Sequence, residues 1–139
     1  LRYRLWRPVH LAGRPWQVVA NRELVAGTRE IELRPFGHRG WNFEPGQFAW
    51  LVTGGSPFTG ESHPLTIASS AARRPEEGIE LLVKALGDWS GRRIPALLPG
   101  AKVWLDGPYG AFSPDPTATE LLLVSGGIGL TPMLSIVRT

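Results

Sequence analysis

The sequence predicts a mainly β protein: a six-stranded antiparallel Greek-key barrel with one capping helix, followed by the first β–α unit of a truncated α/β domain. Three observations carry this. Six short apolar runs separated by Gly- and Pro-rich turns fill residues 16–106. One run of helical period interrupts them at 88–98. After a Pro-, Asp- and Thr-rich linker at 113–119, a continuous apolar run leads into a Gly-rich turn and a helix start.

The elements follow in order. Residues 16–25 and 28–33 read as two strands joined by the tight turn Ala26-Gly27, hence a hairpin. In the second, Ile31 and Leu33 alternate with Glu30, Glu32 and Arg34, so one face is buried and the other wet. Pro45-Gly46 is a turn, and residues 47–52 are the third strand. Residues 53–62, rich in Gly and Ser, form a loop. The fourth strand is His63-Pro64-Leu65-Thr66-Ile67-Ala68-Ser69-Ser70, in which Leu65 and Ile67 alternate with small and hydroxyl-bearing residues. Pro64 cannot donate to a ladder, which places it at a strand start or on an edge. Residues 71–78 are a charged connection, and 79–86 a strongly apolar fifth strand.

In 88–98, Ile94, Leu97 and Leu98 recur at helical spacing, with Asp88 as cap and Pro99-Gly100 as stop. Residues 102–106 are the sixth strand, and Gly107-Pro108-Tyr109-Gly110 a turn. Beyond the linker, 120–124 reads as a strand of the buried parallel kind. Thr131 is then the expected N-cap and Pro132 the first residue of a helix.

Composition narrows the chemistry. The chain has no cysteine, so disulfides, thiolate metal sites and cysteine nucleophiles are excluded. His10, His38 and His63 lie on different elements without metal-ligand spacing, and no hydrolase nucleophile motif appears. Net charge is +3, yet residues 1–22 hold Arg2, Arg4, Arg7, Arg14 and Arg22 and no acid; the remainder has ten basic against twelve acidic side chains. A nucleic-acid partner is not expected, because no basic stripe with interleaved aromatics continues along the chain. An anionic membrane surface suits the Arg- and Trp-bearing start better, although a solvated tail has the same composition.

Five motifs carry function: Pro45-Gly46-Gln47-Phe48; His63 to Ser70; Lys84-Ala85-Leu86-Gly87-Asp88-Trp89-Ser90; Gly107-Pro108-Tyr109-Gly110; and Gly126 to Pro132. In this order they resemble the ferredoxin-reductase-type flavoprotein superfamily. Nearest is its ferric reductase and NADPH oxidase branch, whose flavin motif is a His-Pro-(aromatic or Leu)-Thr strand. The resemblance implies an FAD-binding barrel at 17–112, the linker at 113–119, and the start of an NAD(P)H-binding domain at 120–139. Residues 1–16 become a basic juxtamembrane-like segment.

Carried over by residue, His63, Pro64, Leu65 and Thr66 line the isoalloxazine, with the Thr66 hydroxyl near the reactive ring nitrogen, and Ser69 belongs to the same strand. Gly87 sits at a strand-to-helix turn whose amides meet the FAD pyrophosphate. Lys84 and Ser90 add contacts, Asp88 caps and points away, and Trp89 covers the cofactor or shields the helix. Gly126, Gly127 and Gly129 admit the nicotinamide side of NADPH or NADH, beside Thr131 and Pro132. Many soluble members have Arg where this chain has His63, which favours the membrane branch.

The implied function is electron transfer from NAD(P)H through FAD to a haem or iron acceptor, at the cytoplasmic face of a membrane and beside a preceding membrane haem-binding domain. The chain is expected to be a fragment unable to turn over NAD(P)H efficiently alone. Two alternatives stay open: the same module in a soluble reductase with an iron–sulfur or globin partner, and a non-enzymatic β-barrel.

Overall fold

The computed structural model describes the backbone of residues 2–58 and 61–139 and side chains from Trp6 onward in those ranges. The side chains of Arg2, Tyr3 and Arg4, and residues 59 and 60 of the loop at 53–62, lie outside the described residues. The elements are α1 (Arg2–Ala12), β1 (Pro15–Val25), β2 (Thr28–Pro35), β3 (Phe48–Val52), β4 (Ser62–Thr66), β5 (Ile79–Lys84), β6 (Lys102–Tyr109) and α2 (Leu130–Arg138).

All six strands join one antiparallel sheet in the order β4-β3-β6-β1-β2-β5. The sheet curls until its edges touch. Ile67, just past β4, bridges Leu81 of β5, and the Ala68 N–H donates to the Glu80 carbonyl at 2.8 Å. Alternate residues point inward: Trp16 and Val18, Ile31 and Leu33, Ala49 and Leu51, Ile79, Leu81 and Val83, Val103 and Leu105 are all buried in one core. Burying each large apolar side chain is worth about 1.5–3 kcal/mol, and this closed interior is the main force holding the sheet curled.

Helix α1 packs across the outer face of β3 and β6. Leu11 forms a small cluster with Val52 and Trp104, and Arg7 pairs with Asp106. The sequence offered only a basic segment here. Pro8 lies inside the helix, so its local signal is weak, and docking supplies what propensity does not.

Other expectations change. The segment after β5 is a short π-helical turn (Trp89–Arg93), not a helix through 98; Ile94 and Leu97 pack on the core, while Leu98 is exposed. The Asn21 amide donates to the Ile94 and Leu97 carbonyls at 2.7 and 2.9 Å, fixing a non-helical path. Asp88 makes no capping hydrogen bond. Strand β6 runs through Gly107 and Pro108 to Tyr109, which pairs with Phe48, so the expected turn is strand. Strand β4 ends at Thr66 rather than Ser70.

Residues 120–124 are not a strand: Leu121, Leu122 and Val124 are exposed and have no ladder partner among the described residues. A parallel strand needs parallel neighbours, and this sheet is antiparallel throughout. Helix α2 starts at Leu130 after a 3-10 turn (Gly127–Gly129), so Thr131 lies inside its first turn instead of capping it.

Candidate functional site

The site is the gap where the sheet fails to zip shut. Ile67 and Leu81 are bridged, so continued antiparallel pairing would set Thr66 opposite Leu82 and Pro64 opposite Lys84. Instead the strands part. Pro64 has no N–H to offer an added strand, and β4 spends its ladder bonds on β3 alone. The result is an open cleft of about 430 Å³. One wall is His63, Pro64, Leu65 and Thr66; the second is Leu82, Val83, Lys84 and Leu86. Trp89 and Ser90 close one end, and Ile128, Gly129, Thr131 and Pro132 form a third wall.

His63 and Trp89 stack with ring centroids 3.9 Å apart and planes 20° from parallel. The indole N–H of Trp89 donates to Thr53 Oγ1 at 3.1 Å, which fixes the ring. Glu61 lies alongside, its Oε2 2.8 Å from Arg93 and its Oε1 3.7 Å from His63 Nε2. The Thr66 hydroxyl makes no hydrogen bond, and the Lys84 ammonium no ion pair, with any described residue. Both are therefore available to a ligand. The cleft thus offers apolar walls, an uncommitted hydroxyl and an uncommitted cation, the pattern of a small-molecule site with few polar anchors.

Three motifs distant in sequence meet here: His63 to Thr66, Lys84 with Trp89 and Ser90, and Gly129 with Thr131 and Pro132. Five expected residues do not line the cleft. Ser69 is fully buried behind it, where its Oγ accepts from the Glu80 N–H at 3.2 Å. Asp88 points into solvent, 3.7 Å from Arg92. Gly87 lies outside, and its N–H and that of Leu86 donate to Ser90 Oγ at 3.1 and 2.9 Å, so two amides expected to meet a phosphate already have a partner. Gly126 and Gly127 are exposed and away from the cleft. Thr131 lines it while donating to the Ile128 carbonyl at 2.8 Å.

Leu82, Val83, Leu86 and Ile128 were not expected. Register would have found the first two, because they stand opposite β4 once Ile67 is matched to Leu81.

An FAD-binding domain family model matches residues 28–113, which holds β2 through β6. The chain belongs to this family of FAD-binding domains. It is 30% identical over 128 residues to NADPH oxidase 1 of Mus musculus, covering 88% of this chain and 21% of that protein. It is 39% identical over 84 residues to a probable ferric reduction oxidase 1 of Arabidopsis thaliana, covering 55% of this chain and 12% of the other. A solved cytochrome P450 reductase from Amycolatopsis superposes with a TM-score of 0.76 at 26% identity, covering 90% of this chain and 38% of that one. The FAD-binding domain thus spans well under half of each of these proteins. Both principal walls of its cleft fall inside the matched residues, and α2 falls outside them.

Proposed function

We propose that the cleft between β4 and β5 holds the isoalloxazine of FAD, and that the protein containing this domain passes electrons from NAD(P)H through FAD to a haem or iron acceptor at a membrane. The observation that carries the reading is the parting of two edge strands directly beyond the Ile67–Leu81 bridge, lined by residues from three of the five motif segments. A slot between strands admits a flat ring, and edge backbone groups that lack ladder partners can hydrogen-bond its polar rim.

Within that slot Pro64, Leu65 and Leu82 pack on the ring, and the Thr66 hydroxyl hydrogen-bonds its edge. Lys84 takes the phosphates by charge, because the nearby amides of Leu86 and Gly87 and the Ser90 hydroxyl are engaged with one another. Gly129, Thr131 and Pro132 form the wall against which a nicotinamide ring is held. When bound, flavin accepts a hydride and releases electrons singly, so no side chain here needs to act as acid or base. We place the barrel at 17–112, the linker at 113–119 and the nucleotide-binding start at 120–139.

Likeness to an oxidase and a ferric reduction oxidase supports the membrane reading, with a haem-binding membrane domain as partner. Likeness to a P450 reductase supports the same module in a soluble electron-transfer chain. Among the described residues no helix is long and apolar enough to cross a membrane. The test is reconstitution with FAD followed by removal of free cofactor. Retention of a flavin band at close to one FAD per chain is expected. A colourless protein with no uptake would overturn the proposal.

A further inference from the structure

Helix α2 carries the third wall of the cleft, yet the chain leading to it holds it poorly. Between Asp115 and Gly126 every hydrogen bond among the described residues is local, and most side chains are exposed. The far end of α2 is tied to the barrel at Ala68, Ser69 and Glu80, and the Ala71 N–H donates to Thr139 just past it; Glu80 is the charged member of this cluster.

Glu80 accepts from Arg138 of α2 at 2.9 Å and from Arg73 at 2.5 Å, with its side chain only 13% exposed. Its N–H donates to Ser69 Oγ, and its carbonyl accepts from Ala68, so the same residue also stitches the bridge beside the slot. The Ser69 and Ala68 carbonyls in turn accept from Ser135 Oγ at 2.8 Å and Arg138 at 3.1 Å. Neutralising Glu80 would leave the part-exposed guanidinium groups of Arg73 and Arg138 without the carboxylate that both pair with, which weakens the hold of the barrel on α2.

We propose that Glu80 is a positioning residue: it fixes the angle between the barrel and α2, and through α2 the distance of the Ile128–Pro132 wall from the flavin slot. The flavin part rests on the function proposed above; the latch does not. A shift of the wall of even about 1 Å matters, because transfer between two bound rings depends steeply on their separation and alignment.

The absence of cysteine makes the test direct. Spin labels go on Val25→Cys at the exposed end of β1 and Val137→Cys on the exposed face of α2. The distance distribution is then measured by pulsed electron resonance. Glu80→Gln and Arg138→Met are expected to shift or widen it, whereas Arg73→Met, which touches Glu80 but not α2, leaves it narrow and in place. Arg138 is part-exposed in the last turn of α2, so its variant serves if Glu80→Gln fails to fold.

In FAD-loaded protein, iodide quenching of flavin fluorescence is expected to rise at least twofold in the same two variants at equal FAD occupancy. Unchanged distances in both variants would overturn the latch. Altered distances with unchanged quenching would overturn its effect on the flavin wall. Failure to bind FAD at all, with altered distances, would strike the proposed function and leave the latch standing.

Discussion

Ile67 and Leu81 face each other as an isolated antiparallel bridge, and the strands leading away from it toward Ser62 and Lys84 do not pair. A barrel core is thereby sealed at one point and left open immediately beside it. Thr66 is the first residue of the open part. Thr66→Val keeps its shape and removes an uncommitted hydroxyl. FAD affinity is expected to fall by about 0.5–1.5 kcal/mol, the net value of one hydrogen bond. The unfolding midpoint is expected to stay within error. Calorimetric titration and thermal unfolding of the same preparation check both.

His63 and Trp89 close one end of the cleft as a stacked pair. Trp89→Leu removes the stack and the bond to Thr53 and is expected to cost about 1–2 kcal/mol in urea unfolding. Trp89→Phe keeps an aromatic face and loses the N–H donor, so it is expected to fall between Leu and wild type. Equal losses in the two variants would show that the stack contributes nothing.

Gly46 has φ +92°, and a Cβ there would lie 2.0 Å from the Phe112 carbonyl oxygen. Gly55 has φ +83° with open space around it. Gly55→Ala is expected to cost about 1–2 kcal/mol from backbone conformation alone. Gly46→Ala adds a backbone clash and is expected to cost clearly more, read as a larger drop in the denaturant midpoint.

At the other end of the chain, Trp6 and Val9 of α1 are exposed, while Arg7 is committed to Asp106 and lies over the Trp50 ring. Binding to anionic vesicles is expected, weakening as salt rises, at about 1 kcal/mol per basic residue near the surface. Trp6→Ala is expected to reduce it, and Arg7→Gln to reduce it little. Co-sedimentation at low and high salt measures this.

The strands were legible because alternation survives in any half-buried strand; Ile31 and Leu33 against Glu30 and Glu32 show it plainly. Three features were not. Gly107-Pro108 is turn chemistry locally, but pairing with β3 holds it as strand. The apolar run at 120–124 states a need for burial and says nothing of where a partner strand lies. Helix α1 depends on Leu11 meeting Val52 and Trp104, which are distant in sequence. The lining of the candidate slot was legible where motif residues face it, as with Thr66 and Pro132. It was not for Ser69, whose place in the motif strand concealed its inward direction, nor for Leu82 and Val83, which look like ordinary core until the register with β4 is known.

If the slot between β4 and β5 is the flavin site, saturating FAD will slow hydrogen exchange along its walls. Added protection is expected in three separated segments: 64–66, 82–90 and 128–132, with little change in 16–33. Protection confined to other segments, or none at FAD concentrations that saturate the visible spectrum, would show that the flavin does not sit in this slot.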